Sequence, residues 1–160
     1  MRIIAPYAFT IAAARGPRSN ISDVRTSRLP DAAFRRTTHE DISRIKAQVI
    51  EVVAAHHPAA KCLEYSSVLT WFLRQSGLVA NLAALLENGD PLHFYVETDD
   101  FGAQDIFPQG YTTETFSDGN NAITWELMPD HYLRCIESLE GSVPGVFSAL
   151  KQIAGSAADS

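Results

Sequence analysis

Apolar side chains recur at helical spacing from residue 42 onward, with Ile42, Ile45, Val49 and Val53 on one face. Thr38 stands where such a helix is capped. Asp41, three residues on, resembles the partner in a capping box, and Glu40 adds favourable charge to the first turn. Pro58 marks the end. A second helix is predicted from about Lys61-Cys62. Leu63, Tyr65, Val68, Leu69, Trp71, Phe72 and Leu73 make it apolar nearly all round, the pattern of a helix through the middle of a core. Arg74 falls in its last turn and Gly77 suits its C-terminal cap.

The period then changes. Leu78–Leu86 is apolar throughout and reads equally as strand or helix. Asn88-Gly89-Asp90 is a turn. Leu92–Thr98 alternates, with Leu92, Phe94 and Val96 facing one way and His93, Tyr95 and Glu97 the other. After a turn at Asp99–Gly102, Ala103–Phe107 forms another short strand. Tyr111–Phe116 and Ala122–Leu127 flank Ser117–Asn121 as a hairpin. Helices follow from about Asp130 to Leu139 and from about Pro144 to Ile153, with Pro144 at a first helical position. Strands in direct succession imply an antiparallel sheet, so the fold class is α+β, with the N-terminal helices packed on that sheet.

The chain has 160 residues, 46% apolar and 20% charged, which fits one domain with a single core. Residues 15–37 are rich in Arg, Ser, Pro and Thr and show no period. The organisation is therefore a basic irregular N-terminal arm over 1–37, a single domain over 38–154 and a loose tail over 155–160. Charge follows the same division. Residues 1–36 carry seven arginines against Asp23 and Asp31, while the remainder is strongly acidic and the whole chain has a net charge of −6. An acidic body argues against general nucleic-acid binding, which depends on Lys and Arg at phosphates. No apolar run reaches the roughly 20 residues of a membrane span. Residues 3–14, behind Arg2 and ending in Ala12-Ala13-Ala14, read either as a secretory signal weakened by Pro6 and Thr10 or as an N-terminal strand. The expected location is the cytoplasm, or outside the cell as a secreted effector. Asn20-Ile21-Ser22 matches a glycosylation acceptor, a triplet frequent by chance.

Two cysteines are too few for a disulfide framework, and two free thiols in a reducing compartment is the simpler reading. Cys135 lies in an amphipathic helix and reads as packing. Cys62 stands where a helix begins, and the free N–H groups and dipole of a helix N-terminus lower a thiol's pKa. His93 lies near the start of a strand and Asp105 in the next strand, twelve residues on. Antiparallel neighbours bring such a pair side by side, so that the carboxylate accepts the second ring N–H and fixes the tautomer of a general base. Cys62, His93 and Asp105 are the candidate catalytic residues.

The segments Cys62-Leu-Glu-Tyr-Ser66-Ser-Val-Leu69-Thr-Trp-Phe-Leu73-Arg-Gln-Ser-Gly77, His93-Phe-Tyr-Val96-Glu97 and Asp105-Ile-Phe-Pro-Gln109 resemble the transglutaminase-like group of papain-like cysteine enzymes. The resemblance covers about residues 60–110. It implies a papain-like fold with the nucleophile Cys62 at the start of the central helix, His93 as general base and Asp105 as orienting acid. Two departures concern neighbouring residues: Lys61 precedes Cys62 where many members carry Trp, and His56 occupies the position of the oxyanion-donor Gln of the proteases. His56 or His57 is a candidate substitute donor, the backbone N–H of Cys62 another, and Gln109 a candidate site-lining residue. Tyr65 and Trp71 read as core.

The expected function is a cysteine-dependent amide hydrolase or acyl-transfer enzyme working through a thioester, of deamidase, peptidase or transglutaminase type. Its substrate would be a protein or peptide offering a glutamine or peptide amide, and it would need no cofactor. The size and basic front suit a bacterial effector or accessory enzyme. The alternative is a catalytically dead binding module on the same fold. A zinc site built from Cys62, His93, Asp105 and His56 or His57 lacks the usual close pair of ligands. There is neither a G-x-S-x-G elbow nor a phosphate loop. Because the capped helix begins at Thr38, removal of residues 1–36 is expected to leave the cooperative unfolding transition in place. A truncated chain that melts without cooperativity would make the arm part of the core.

Overall fold

The computed structural model describes residues 37–106 and 123–158. They form α1 (His39–His56), α2 (Cys62–Gln75), β1 (Ala80–Glu87), β2 (Asp90–Thr98), β3 (Gly102–Gln104), β4 (Ile123–Leu127), α3 (Pro129–Ser142) and α4 (Gly145–Ala158). The strands make one antiparallel sheet in the order β3-β2-β1-β4. The fold is therefore α+β. Helix α2 lies on β2 and β1, α3 rests on α2 and β1, and α1 packs on α2 and α4. Of the two N-terminal helices, α2 is thus the one that meets the sheet closely, with α1 behind it. The arm, the strand expected at Tyr111–Phe116 and its hairpin lie outside the described residues.

Helix α1 starts as its sequence dictates. The Asp41 carboxylate accepts from the Thr38 N–H at 2.8 Å, and the Thr38 hydroxyl accepts from the Asp41 N–H at 3.2 Å. Arg44 holds the other carboxylate oxygen at 2.7 Å. The helix buries Ile42, Val49, Val52 and Val53. A tight turn through Pro58 follows, closed by the Ala60 N–H on the His57 carbonyl at 3.0 Å.

Helix α2 is the centre of the domain, and every residue from Tyr65 to Leu73 is buried. Its end is a Schellman motif: the Leu78 N–H bonds the Leu73 carbonyl and the Gly77 N–H bonds the Arg74 carbonyl, each at 3.0 Å. That motif requires a positive φ, and Gly77 supplies it at 85°. Arg74 then binds the chain it has turned onto, with Nε on the Ala80 carbonyl at 2.7 Å and Nη2 on Asn81 Oδ1 at 2.9 Å. Its guanidinium lies 4.4 Å from the centre of the Tyr132 ring.

The ambiguous apolar stretch forms an inner strand, flanked by β2 and β4 and buried on both faces. Ala80, Leu82, Ala84 and Leu86 join the helical core. Ala83 and Leu85 join Tyr95, Trp125 and Leu127 on the opposite face. The β1–β2 connection is a two-residue hairpin in which Asn88 and Gly89 both take positive φ, 52° and 87°.

Several element ends differ from expectation, and Asp90, expected in the turn, opens β2 two residues ahead of Leu92. Strand β3, expected to run to Phe107, ends at Gln104, and Asp105 directly after it meets His93. Helix α3 runs three residues past Leu139, to Ser142. The expected loose tail is helical as far as Ala158, a stretch of small residues in which the Ser156 hydroxyl bonds the Gln152 carbonyl at 3.0 Å. No helix among the described residues is long and apolar enough to cross a membrane.

The cap and the core should differ in weight. Thr38→Ala is expected to cost about 1 kcal/mol, whereas Leu69→Ala, at a fully buried position, is expected to cost about 2–5 kcal/mol. Denaturant unfolding of both variants checks this. Equal losses would mean that α2 is not the packing centre.

Candidate active site

Cys62 is the first residue of α2 and is 9% exposed. Lys61 before it is extended, and its N–H is bound by the Glu64 carboxylate at 2.9 Å. The first helical bond runs from the Tyr65 N–H to the Lys61 carbonyl at 3.0 Å. The amides of Cys62, Leu63 and Glu64 precede it, so the positive end of the helix is centred on the thiol.

His93 reaches this point through an irregularity in β2. Glu87 pairs with Asp90 and Leu86 with Pro91, but Leu85 pairs with His93, so Leu92 is an extra residue. The bulge sets which side chains share a face: His93, Tyr95 and Glu97 lie opposite Leu85, Ala83 and Asn81. All three are buried, His93 completely. The polar half of the alternating pattern is thus an interior row.

Asp105 directly follows β3, whose Gln104 is registered with Val96. The Gln104 side chain donates to the Phe101 carbonyl at 2.9 Å and steadies the turn. The Asp105 carboxylate, 15% exposed, meets His93 Nε2 at 2.6 Å. Nδ1 is buried, and the Cys62 thiol acts on the charge of the ring. The structure brings Cys62, His93 and Asp105 into one chain of contacts. Burial alone would push the His93 pKa down. The hydrogen bond His93 donates to Asp105, then the polar contact with Cys62, and the charges of both outweigh it and raise the pKa to about 9.

The other candidates lie elsewhere. His56 is exposed at the end of α1, and its ring packs on Gly145 so closely that a Cβ there would sit 2.8 Å from Nδ1. Its position serves the approach of α1 to α4, and no contact ties it to the triad. His57 closes the turn through its backbone. Gln109 lies outside the described residues. Cys135 is buried in the helical core. Burial pushes its thiol pKa up, the Ser67 hydroxyl pulls it down, and the Glu64 charge raises it. Neither cysteine forms a disulfide. Among the described residues no cluster of three His, Cys, Asp or Glu side chains is arranged to hold a metal ion.

Two features were not visible in the sequence. Nothing in the residue pattern marked Leu92 as a bulge, although Pro91 beside it is a hint, since proline in a strand favours edges and bulges. Nor did it show that the Tyr95 hydroxyl and Glu97 are buried one behind the other; burial first, and Glu97 second, push the Tyr95 pKa up.

Comparison of the chain with protein-family profiles, with curated proteins and with solved structures finds no match.

A raised histidine favours the folded state while it is protonated. Taken alone, the His93 contribution is complete below about 6.5 and is lost as pH rises through about 9. A Cys62 thiolate would contribute with the opposite slope, so the ring itself is the group to follow. In a nuclear magnetic resonance titration, His93 is expected to lose its proton near pH 9, and earlier in both Cys62→Ala and Asp105→Asn. An ordinary value in the wild-type protein would contradict the geometry.

Proposed function

We propose that this chain is a cysteine-dependent amide hydrolase or acyl-transfer enzyme of the papain-like, transglutaminase-like kind. The observation that carries the reading is the buried His93 imidazole, held by Asp105 at 2.6 Å and in contact with a thiol at the start of the central helix. The chemistry follows from those positions. The Cys62 sulfur, as thiolate, attacks an amide carbonyl and a carbon–sulfur bond forms. Charge moves to the oxygen, which the Cys62 amide at the helix N-terminus is placed to receive. His93 gives its proton to the leaving nitrogen and the carbon–nitrogen bond breaks, leaving a thioester. Water then attacks, His93 takes its proton, and the carbon–sulfur bond breaks to release a carboxylate and the thiolate. A glutamine side chain would yield glutamate and ammonia, and an amine in place of water would give a transamidated product. Asp105 keeps Nδ1 aimed at sulfur throughout.

One observation favours a second reading. Cys62 is only 9% exposed, as a core thiol on a binding module would be. Thiol labelling followed by intact mass separates the two. In the enzyme, iodoacetamide modifies Cys62 rapidly at neutral pH and Cys62→Ala shows background labelling. With a generic amide or ester as substrate, His93→Ala is expected to lose about 10²–10⁴-fold in turnover. Asp105→Ala should lose less, because the imidazole and the helix N-terminus remain. Wild-type turnover in all three variants would put the chemistry elsewhere, and a Cys62 that resists labelling until the protein unfolds would favour the binding module.

A further inference from the structure

We infer that Ser66 is a positioning residue for the Cys62–His93 pair, joining the nucleophile's helix to the strand that carries the base; this rests on the function proposed above. Ser66 stands one helical turn after Cys62, on the same side of α2. It is fully buried, and its hydroxyl donates to the Phe94 carbonyl at 3.0 Å, across 28 residues of sequence. Phe94 is the residue immediately after His93. The bond therefore spans the two elements at the point where their reactive side chains meet.

Thr70, Ser76, Ser142, Ser148 and Ser156 each turn their hydroxyl back onto the carbonyl four residues earlier. Ser66 instead leaves its helix. Thr70 occupies the Ser66 carbonyl at 2.8 Å, so both polar ends of Ser66 are engaged. The strand needs a tether here. Pairing of β2 with β3 extends only from Thr98 to Val96, and on the other side the ladder is interrupted by the bulge at Leu92. His93 and Phe94 thus lie beyond the β3 pairing and next to the bulge, and a bond from α2 ties this part of β2 to the helix of Cys62. A misplacement of about 1 Å at a reacting centre can cost about 10²-fold in rate, so loss of one such bond is expressed as reduced rate rather than as unfolding.

The test compares wild type, Ser66→Ala, Ser66→Thr and Ser67→Ala. Ser67→Ala removes a neighbouring buried hydroxyl from the same helix and serves as the control. Iodoacetamide rates at Cys62 are measured from pH 5 to pH 10 and each is divided by that variant's own rate at the alkaline end. Ser66→Ala is expected to lose about tenfold in the normalised rate near pH 6.5, while retaining its circular dichroism. Ser66→Thr, which keeps the donor, and Ser67→Ala are expected to follow the wild-type profile. An unchanged profile in Ser66→Ala overturns the inference, as does a folded Ser66→Thr that loses the low-pH limb. A wild-type protein with no reactivity near pH 6.5 overturns the proposed function and this inference together, whereas an unchanged Ser66→Ala profile beside a reactive wild type removes only the positioning role.

Discussion

The arrangement depends on a histidine buried without exposure and yet held protonated. An imidazolium removed from water loses several kcal/mol of solvation unless opposite charge and hydrogen bonds replace it. Asp105 at 2.6 Å and the Cys62 thiol provide that replacement, and together they outweigh burial by enough to lift the His93 pKa to about 9. The three groups are interdependent. On the function proposed above, the adjacent acid and thiol stabilise the imidazolium, and the imidazolium and a helix N-terminus favour ionisation of the thiol.

The fold brings the three together from separate elements. Helix α2 passes through the core with its first residue at one end of β2, so packing of Tyr65 to Leu73 also places Cys62. The two-residue turn at Asn88-Gly89 and the bulge at Leu92 set the register and the face of His93. The register of β3, Val96 against Gln104, leaves Asp105 beside the imidazole as the chain departs the sheet. Each step is local, and each is set by packing or backbone pairing rather than by the reactive groups.

Much of this was legible in the sequence where local chemistry is decisive. The capping box at Thr38, the all-round apolar helix from Cys62 and the Asn88-Gly89 turn follow from side-chain type and spacing alone. The α+β class followed from strand succession. The juxtaposition of Cys62, His93 and Asp105 was legible as a pattern of residues on a helix start and two neighbouring strands. What was not legible depends on tertiary context. Leu78–Leu86 carries no period because both its faces are buried, so only its place between β2 and β4 makes it a strand. The bulge at Leu92 and the interior position of Tyr95 and Glu97 have no local signature. His56 occupied a suggestive offset from Cys62, but the helix end it sits on faces α4.

The central claim is that the folded protein holds a thiolate opposite an imidazolium. The direct measurement is the ultraviolet absorbance of the thiolate as a function of pH, taken as the difference between wild type and Cys62→Ala. The account predicts that this absorbance is already present at pH 6, well below the ordinary thiol pKa of about 8.5. Absorbance that appears only with an ordinary titration near that value would contradict it, and Cys62 would then be a packed thiol beside a histidine–aspartate pair.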